Sequence, residues 1–342
     1  MREDGYNMAN IQATLRPARK TLDRGVIITL FIIAAIYAGV FILEQVIPAT
    51  SMLFTVLKKG ATYALVAVSM NLLNGFTGLF SLGQASFMAI GAYVAGLLAK
   101  TFGLPFLPCA IIAVLVGGLF GAVIALPTVR LRRDYIALIT FGFGQAITAV
   151  INNLTGITGG ATGLMSIPRY VTPWHVLVSV IGISFLVWNL KKSRFGRQCI
   201  ALKSDELAAN AMGINVNQIK MQAFVIASMI TAYAGVLYAF HTTYVDAKIF
   251  TWNRSAEWLI VVFFGGLGSM TGAILSGLVL GLLPELLRAT SNLRIIIYCA
   301  IVLITINFRP QGMLGTYEFS ITRLIAGIKR RFGKEKEGGL RA

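Results

Sequence analysis

Acidic side chains, histidine and cysteine are scarce in this chain of 342 residues, which has 13 Asp and Glu, 2 His and 3 Cys. Each scarcity removes a class of chemistry. The acidic residues fall in loops or near the ends of apolar stretches, with Glu44, Asp134, Glu257 and Glu285 nearest the interior. A proton-driven carrier needs a carboxylate or histidine relay at membrane depth, so that reading is weakened. Sodium held by backbone carbonyls at a broken helix would escape this test. His175 and His241 have no second histidine or cysteine nearby, so no metal site is expected. Cys109, Cys199 and Cys299 are isolated, which leaves no disulfide framework. No G-x-x-x-x-G-K-[ST] phosphate loop occurs, so any ATP that drives the process is hydrolysed by another subunit. Nor is there a convergent nucleophile or carboxylate pair to suggest an enzyme.

What the chain does have is apolar length. Hydrophobic residues make up 56% and charged residues 13%, and the mean hydropathy is +0.76. These values describe an all-α, polytopic helical bundle in a membrane. At about 20 residues per crossing, spans are expected near 26–48, 52–73, 79–99, 104–127, 135–152, 174–190, 221–241 and 293–308. A further apolar stretch at 258–283 is broken in its middle. No cleavable signal peptide is expected, because the first apolar run is too long for one.

The net charge of +17 is a matter of topology rather than a nucleic-acid footprint. Its basic residues gather before the first span (Arg2, Arg16, Arg19, Lys20, Arg24), after the fourth (Arg130, Arg132, Arg133), between Lys191 and Lys220, and from Arg309 onward. Alternating crossings put all of these on one side, and the positive-inside rule makes that side the cytoplasm. Three parts follow: a cytoplasmic segment 1–25, a transmembrane domain 26–308 with a cytoplasmic loop 191–220, and a basic tail 309–342. The tail's Lys329 to Lys336 run suits anionic membrane lipid. With both ends cytoplasmic the number of crossings is even. The 258–283 stretch is then a re-entrant hairpin or two crossings, for eight or ten in all, and the glycines of FFGGLGSMTGAILSG permit the break.

Small residues recur at four-residue spacing. Gly265, Ser269, Ala273, Gly277 and Gly281 would form one stripe on a continuous helix, and Gly268 and Gly272 lie beside it. Gly91 with Ala95, Ala92 with Gly96 and Gly117 with Gly121 repeat the pattern. Such faces serve either ordinary close packing or surfaces that slide during transport. The segment 71–93 is polar for a membrane interior. Asn71, Asn74, Ser81 and Gln84, with Gln145 and Asn152 seven residues apart further on, would be costly facing lipid. They line a translocation path or join helices by hydrogen bonds. All are neutral, so they lack the fixed charge pair that would clamp a zwitterion.

The loop 191–220 contains a short helix with marked ends. Ser204 is its expected N-cap, Asp205 and Glu206 place negative charge at the positive end of the helix dipole, and Gly213 suits a left-handed C-terminal cap. About eight residues are too few to be helical alone in water, so something holds them. An apolar side of Leu207, Ala208, Ala211 and Met212, with small Ala209 beside it, suits docking into a cleft of an external motor.

The stretches NLLNGFTGLFSLGQASFMAIGAYVAGLL (71–98), VRLRRDYIALITFGFGQAITAVINNLTGITGGATGL (129–164), FGRQCIALKSDELAANAMGINV (195–216), FFGGLGSMTGAILSG (263–277) and FRPQGMLG (308–315) occur in order. Together they resemble the permease subunits of branched-chain amino acid ABC importers, of the M-type in particular. Ala208, Ala209 and Gly213 match the importer coupling motif, while Leu207 stands where that motif commonly has Glu. Gln145 stands where the family's GFGE pattern has Glu.

The resemblance implies a bacterial inner-membrane permease paired with a second permease, as a heterodimer. Two ABC ATPase subunits would use ATP and magnesium, neither held by this chain, and a periplasmic binding protein would deliver leucine, isoleucine or valine. Capture affinity would then reside in the binding protein, with only weak contacts along the path. Related permeases handle urea and short amides, which is the alternative within the family. Outside it, a secondary transporter or channel would work without ATPases.

Overall fold

The computed structural model describes residues 52–131, 133–286 and 293–308, together with 312, 313 and 315. Regular structure within them is helical, apart from one antiparallel pairing of Leu164 with Val245. The order is α1 (Met52–Met70), continued by a π-helical turn (Asn71–Thr77), α2 (Gln84–Phe102), α3 (Phe106–Thr128), α4 (Arg133–Asn153), the short α5 (Thr155–Thr158), α6 (Pro173–Lys192), α7 (Arg194–Ser204), α8 (Glu206–Ala211), α9 (Val216–Thr242), α10 (Trp252–Gly265), α11 (Met270–Leu286) and α12 (Leu293–Phe308). Among the described residues α2, α3, α6, α9 and the Tyr135–Asn153 part of α4 are long and apolar enough to cross a membrane. The expected first span at 26–48, the segment 1–25 and the tail beyond 315 lie outside the described residues.

The packing is organised around α9, whose 27 residues make a rod about 40 Å long. It lies along α2 and α3, and glycine sets the distance. A Cβ on Gly91 would strike the Ala232 carbonyl, one on Gly235 the Met88 carbonyl, and one on Gly121 the Ser228 hydroxyl. Lipid gives apolar surfaces no reason to avoid it, so close van der Waals contact of this kind is what joins the helices. The opposite side of α3 exposes Leu107, Ile111, Leu115, Leu119 and Val123 at four-residue intervals, the outward stripe of a helix that is apolar all round.

The apolar stretch expected at 258–283 is a hairpin of α10 and α11. Gly266 and Gly268, at φ +109° and +96°, turn the chain between them, a conformation that glycine adopts without steric cost. The stripe from Gly265 to Gly281 therefore does not lie on one helix. Its first part stays at the bend, where the Gly265 and Gly272 backbones touch, and Gly277 and Gly281 on α11 pack against Ala64 and Gly60 of α1. The bend lies at the basic end of the domain, since Lys191 Nζ donates to Gly268 O at 2.7 Å. Both arms thus run toward the opposite end. At 14 and 17 residues they are about 21 and 26 Å long, each short of a full bilayer core. The closing motif packs on the same bend, where Met313 N donates to Phe264 O at 2.7 Å.

One boundary departs from the sequence reading in a way that matters. The chain after α9 folds back into the domain instead of leaving it: Tyr93 Oη donates to Val245 O and Thr148 Oγ1 to Phe250 O, both at 3.3 Å. Helix α10 starts at Trp252, which is exposed, and buries Ser255 and Trp258, with Arg254 and Glu257 partly buried beside them.

Candidate functional site

The loop 191–220 folds as two helices, where a single short one was expected. Ser193 caps α7, accepting from Gly196 N, and Cys199 and Leu202 on its inner face are buried in a cluster with Leu72, Leu73 and Phe76 of the π-helical turn. Burial pushes the Cys199 thiol up to about 12. The N-cap of α8 is Asp205 rather than Ser204. Its Oδ1 accepts from the Leu207 and Ala208 N–H groups at 2.8 and 3.1 Å, while Ser204 closes α7 and donates to Ile200 O. A carboxylate at this position satisfies the free N–H groups and also neutralises the helix dipole, which a serine hydroxyl does not.

At the other end of α8, Gly213 N donates to Asn210 O and Ile214 N to Ala209 O, with Gly213 at φ +79°. This is a Schellman cap. Glu206 pairs with Lys220 of α9, whose side chain is only 1% exposed, and Ala209 is the buried residue that seats the helix. The rest of the short helix faces out: Ala208 and Ala211 are exposed, and Leu207 and Met212 are 82% and 83% exposed.

This loop is tied to two interruptions in the membrane helices. Lys203, in the last turn of α7, donates from Nζ to Gly75 O of the π-helical turn at 2.8 Å. Lys191, at the end of α6, reaches Gly268 O in the hairpin bend and lies 4.9 Å above the Phe76 ring. The interruptions are in turn joined by Asn71, whose Nδ2 donates to Ser269 O at 2.9 Å while its Oδ1 accepts from Gly268 N at 2.8 Å. Gly75 permits this approach, since a Cβ there would meet both Asn71 Oδ1 and Gly268 N. A π-turn and a helix break each leave carbonyls without helical partners, and here two lysines and one amide supply the missing partners.

The other neutral polar residues are spread more widely than a single path would place them. Asn74, Ser81 and Gln84 are buried with Asn71 along the segment before and at the start of α2. Gln84 Oε1 accepts from Thr231 Oγ1 at 2.8 Å, and Thr231 is within 2.7 Å of Ser69, so α1, α2 and α9 meet at one polar knot. The Asn74 amide and Gln84 Nε2 have no hydrogen-bond partner among the described residues. Gln145 and Asn152 are half-exposed on α4 and are not hydrogen-bonded into this knot.

A cluster that the sequence reading did not find lies at the start of α10. Arg254 Nη1 donates to Glu257 Oε2 and to Tyr63 Oη, each at 2.6 Å, and Tyr63 stands edge-on to Trp258. These four residues, with Lys59 and Tyr238, line a cavity of about 940 Å³. Arg254 and Glu257 remain 31% and 25% exposed. Their depth follows from the hydrogen bonds around them. Ser255 Oγ accepts from Ala85 N at the start of α2, and the neighbouring Gln84 is level with Thr231. Thr231 lies about 22 Å along α9, close to its middle. The available signal was the Arg-x-x-Glu spacing directly before an apolar stretch that the glycine pair makes too short to start at the membrane surface.

Comparison with known proteins finds relatives by sequence. The family described as branched-chain amino acid transport system / permease component matches residues 52–306. The chain is 30% identical over 286 residues to the high-affinity branched-chain amino acid transport system permease protein LivM of Salmonella typhimurium, covering 74% of this chain and 67% of that protein. The same figures hold for LivM of Escherichia coli K12. It is also 25% identical over 307 residues to the permease protein LivH of Salmonella typhimurium, covering 80% of this chain and 98% of that one. No solved structure matches.

Proposed function

The chain belongs to the branched-chain amino acid transport system permease family, and from that premise we propose that it is a membrane-spanning permease subunit of an ATP-driven importer of leucine, isoleucine and valine. It works beside a second permease, which similarity to both LivM and LivH proteins supports. Two separate ATPase subunits drive it and a periplasmic binding protein delivers the substrate. It resides in the bacterial inner membrane with both termini in the cytoplasm.

One observation carries this reading: an exposed, well-capped short helix follows directly on α7, and lysines at the ends of α6 and α7 are hydrogen-bonded to the two interruptions of the bundle. Leu207 and Met212 on α8 present apolar surface to the cytoplasm, which suits docking on an ATPase. A displacement of α8 passes to α7 through their shared junction at Ser204 and Asp205, then through Lys203 to the π-helical turn, and through Asn71 to the bend at Gly268. Short bends with few helical hydrogen bonds are where two arrangements of a packed bundle differ least in energy. The neutral residues Asn71 and Gln84 hold this junction together, and Asn74 and Ser81 are buried beside it. Gln145 and Asn152 lie on the half-exposed face of α4, which suits contact with the second permease or lipid.

The test is reconstitution. With the second permease, the ATPases and the binding protein in liposomes, the chain is expected to support leucine uptake that requires internal ATP. Uptake by this chain alone, without ATPases, would contradict the proposal and restore the channel or secondary-carrier reading.

A further inference from the structure

We propose that the Arg254–Glu257 pair is a recognition point at membrane depth for the zwitterion of the transported amino acid, Arg254 taking the carboxylate and Glu257 the ammonium. The proposal rests on the permease reading above and adds to it a site and a rule of selection.

An ion pair held only for helix stability is poorly explained at this depth. A partly exposed pair of neighbours on one helix adds little to stability, and ionisable residues inside a membrane domain generally mark a substrate or ion pathway. This pair also stays accessible from a cavity. The cavity's roughly 940 Å³ lies at the upper end of the range of roughly 300–1,000 Å³ usual for small-molecule sites. Its aromatic walls, Tyr63 and Tyr238, with the buried Trp258 behind them, give an aliphatic side chain something to pack on. Trp258 is only 1% exposed and its Nε1 has no hydrogen-bond partner among the described residues.

Binding is an exchange of partners. The planar guanidinium of Arg254 releases Glu257 and takes the ligand carboxylate in the same geometry, and Glu257 accepts from the ligand ammonium in return. Because one pair must open for two to form, the net gain is small, as a site that must also release its cargo requires. A ligand with only one charge opens the pair and leaves the other protein charge unmatched, and a neutral amide such as urea does not open it. The site therefore selects an α-amino acid over an amine, an acid or an amide of similar size.

Cys299 lines the same cavity and is exposed, whereas Cys109 and Cys199 are buried, so the native chain carries its own reporter. In the importer core of two permeases and two ATPases held in nanodiscs, alkylation of Cys299 by N-ethylmaleimide is followed by mass spectrometry. Leucine should slow it severalfold with half-effect near about 1 mM, and 3-methylbutylamine, 4-methylpentanoate and urea at the same concentration should not. Arg254→Gln and Glu257→Gln should abolish the protection. With the binding protein present, each should lower the maximal rate of uptake by about tenfold or more, the factor for one lost charge-assisted hydrogen bond, while KM, set by the binding protein, stays put.

Equal protection by all four compounds would overturn the zwitterion rule. So would an absence of leucine protection in a core that supports leucine uptake, or wild-type maximal rates in both variants. Failure of the wild-type importer to take up leucine at all would instead overturn the substrate reading on which the proposal rests.

Discussion

Two polar regions lie in this bundle, and they differ in charge, burial and partners. Around Asn71 and Gln84 the side chains of the membrane helices are neutral and buried, their hydrogen bonds run to the backbone of the hairpin bend or to Thr231, and the lysines that join them reach in from the loop to backbone carbonyls. Around Arg254 the groups are charged and partly exposed to a cavity, and they are bonded to one another and to Tyr63. Both regions are costly in a membrane, but for different reasons. The first completes backbone hydrogen bonds that two helix interruptions leave open, so its loss exposes unpaired donors and acceptors. The second completes nothing in the backbone, and its accessibility is the reason to keep it. Polarity at membrane depth alone does not separate scaffold from site; the partner of each polar atom does.

The comparison breaks most completely at Gly75. A Cβ there meets Asn71 Oδ1 and the Gly268 nitrogen, so Gly75→Val is expected to prevent the two interruptions from docking and to abolish assembly, seen as loss of the complex on size-exclusion chromatography. A stable, active Gly75→Val complex would show that the junction is not needed.

Gly213→Pro comes next. Gly213 sits at φ +79°, which proline cannot adopt, and the lost Schellman cap should cost α8 about 1–3 kcal/mol. The membrane domain should insert normally while ATP hydrolysis no longer responds to loaded binding protein. A normal response would separate α8 from coupling.

A smaller effect is expected of Lys203→Met, which removes one hydrogen bond between the loop and the π-helical turn without disturbing either fold. Coupling free energies are typically about 1–3 kcal/mol, so the ratio of uptake to ATP hydrolysis in the intact complex should fall by about fivefold or more, with a smaller loss of melting temperature than an Asn71 change, which unpairs two backbone groups, would give. An unchanged ratio would place coupling elsewhere.

The smallest expected response is at Cys199. Burial holds its thiol near 12, far above neutral pH, so the reactive thiolate is scarce. Alkylation at pH 7 should spare it, and rapid modification would mean that α7 lifts off the bundle.

Much of the fold was legible before the structure. Apolar length marks the long helices α2, α3, α6 and α9, and the glycine run marks the break now seen between Gly265 and Met270. That broken element is a hairpin. The polar segment from Asn71 was visible as a region but not as a structure, because a π-helical stretch of seven residues is too short to show a period of its own. Capping was off by one residue, since Ser204 and Asp205 are both good N-caps and only the extent of α7 decides between them. The cavity was missed for a topological reason. Hydropathy puts Glu257 at the edge of an apolar stretch, and the return of residues 243–251 into the bundle, which depends on contacts from α2 and α4, moves that edge to mid-depth.

The central contrast is tested most directly by measuring thermal stability and leucine uptake together for Asn71→Leu and Arg254→Gln in the same reconstituted importer. Asn71→Leu leaves the Gly268 N–H and the Ser269 carbonyl without their partner, at about 1–3 kcal/mol each. It should lower the melting temperature markedly, and its uptake should fall chiefly through loss of intact complex. Arg254→Gln should keep the melting temperature within a few degrees and lose uptake per intact complex by about tenfold. The reverse pattern, with Asn71→Leu stable but inactive and Arg254→Gln unstable but active per complex, would contradict the assignment of scaffold to the neutral region and substrate to the charged one.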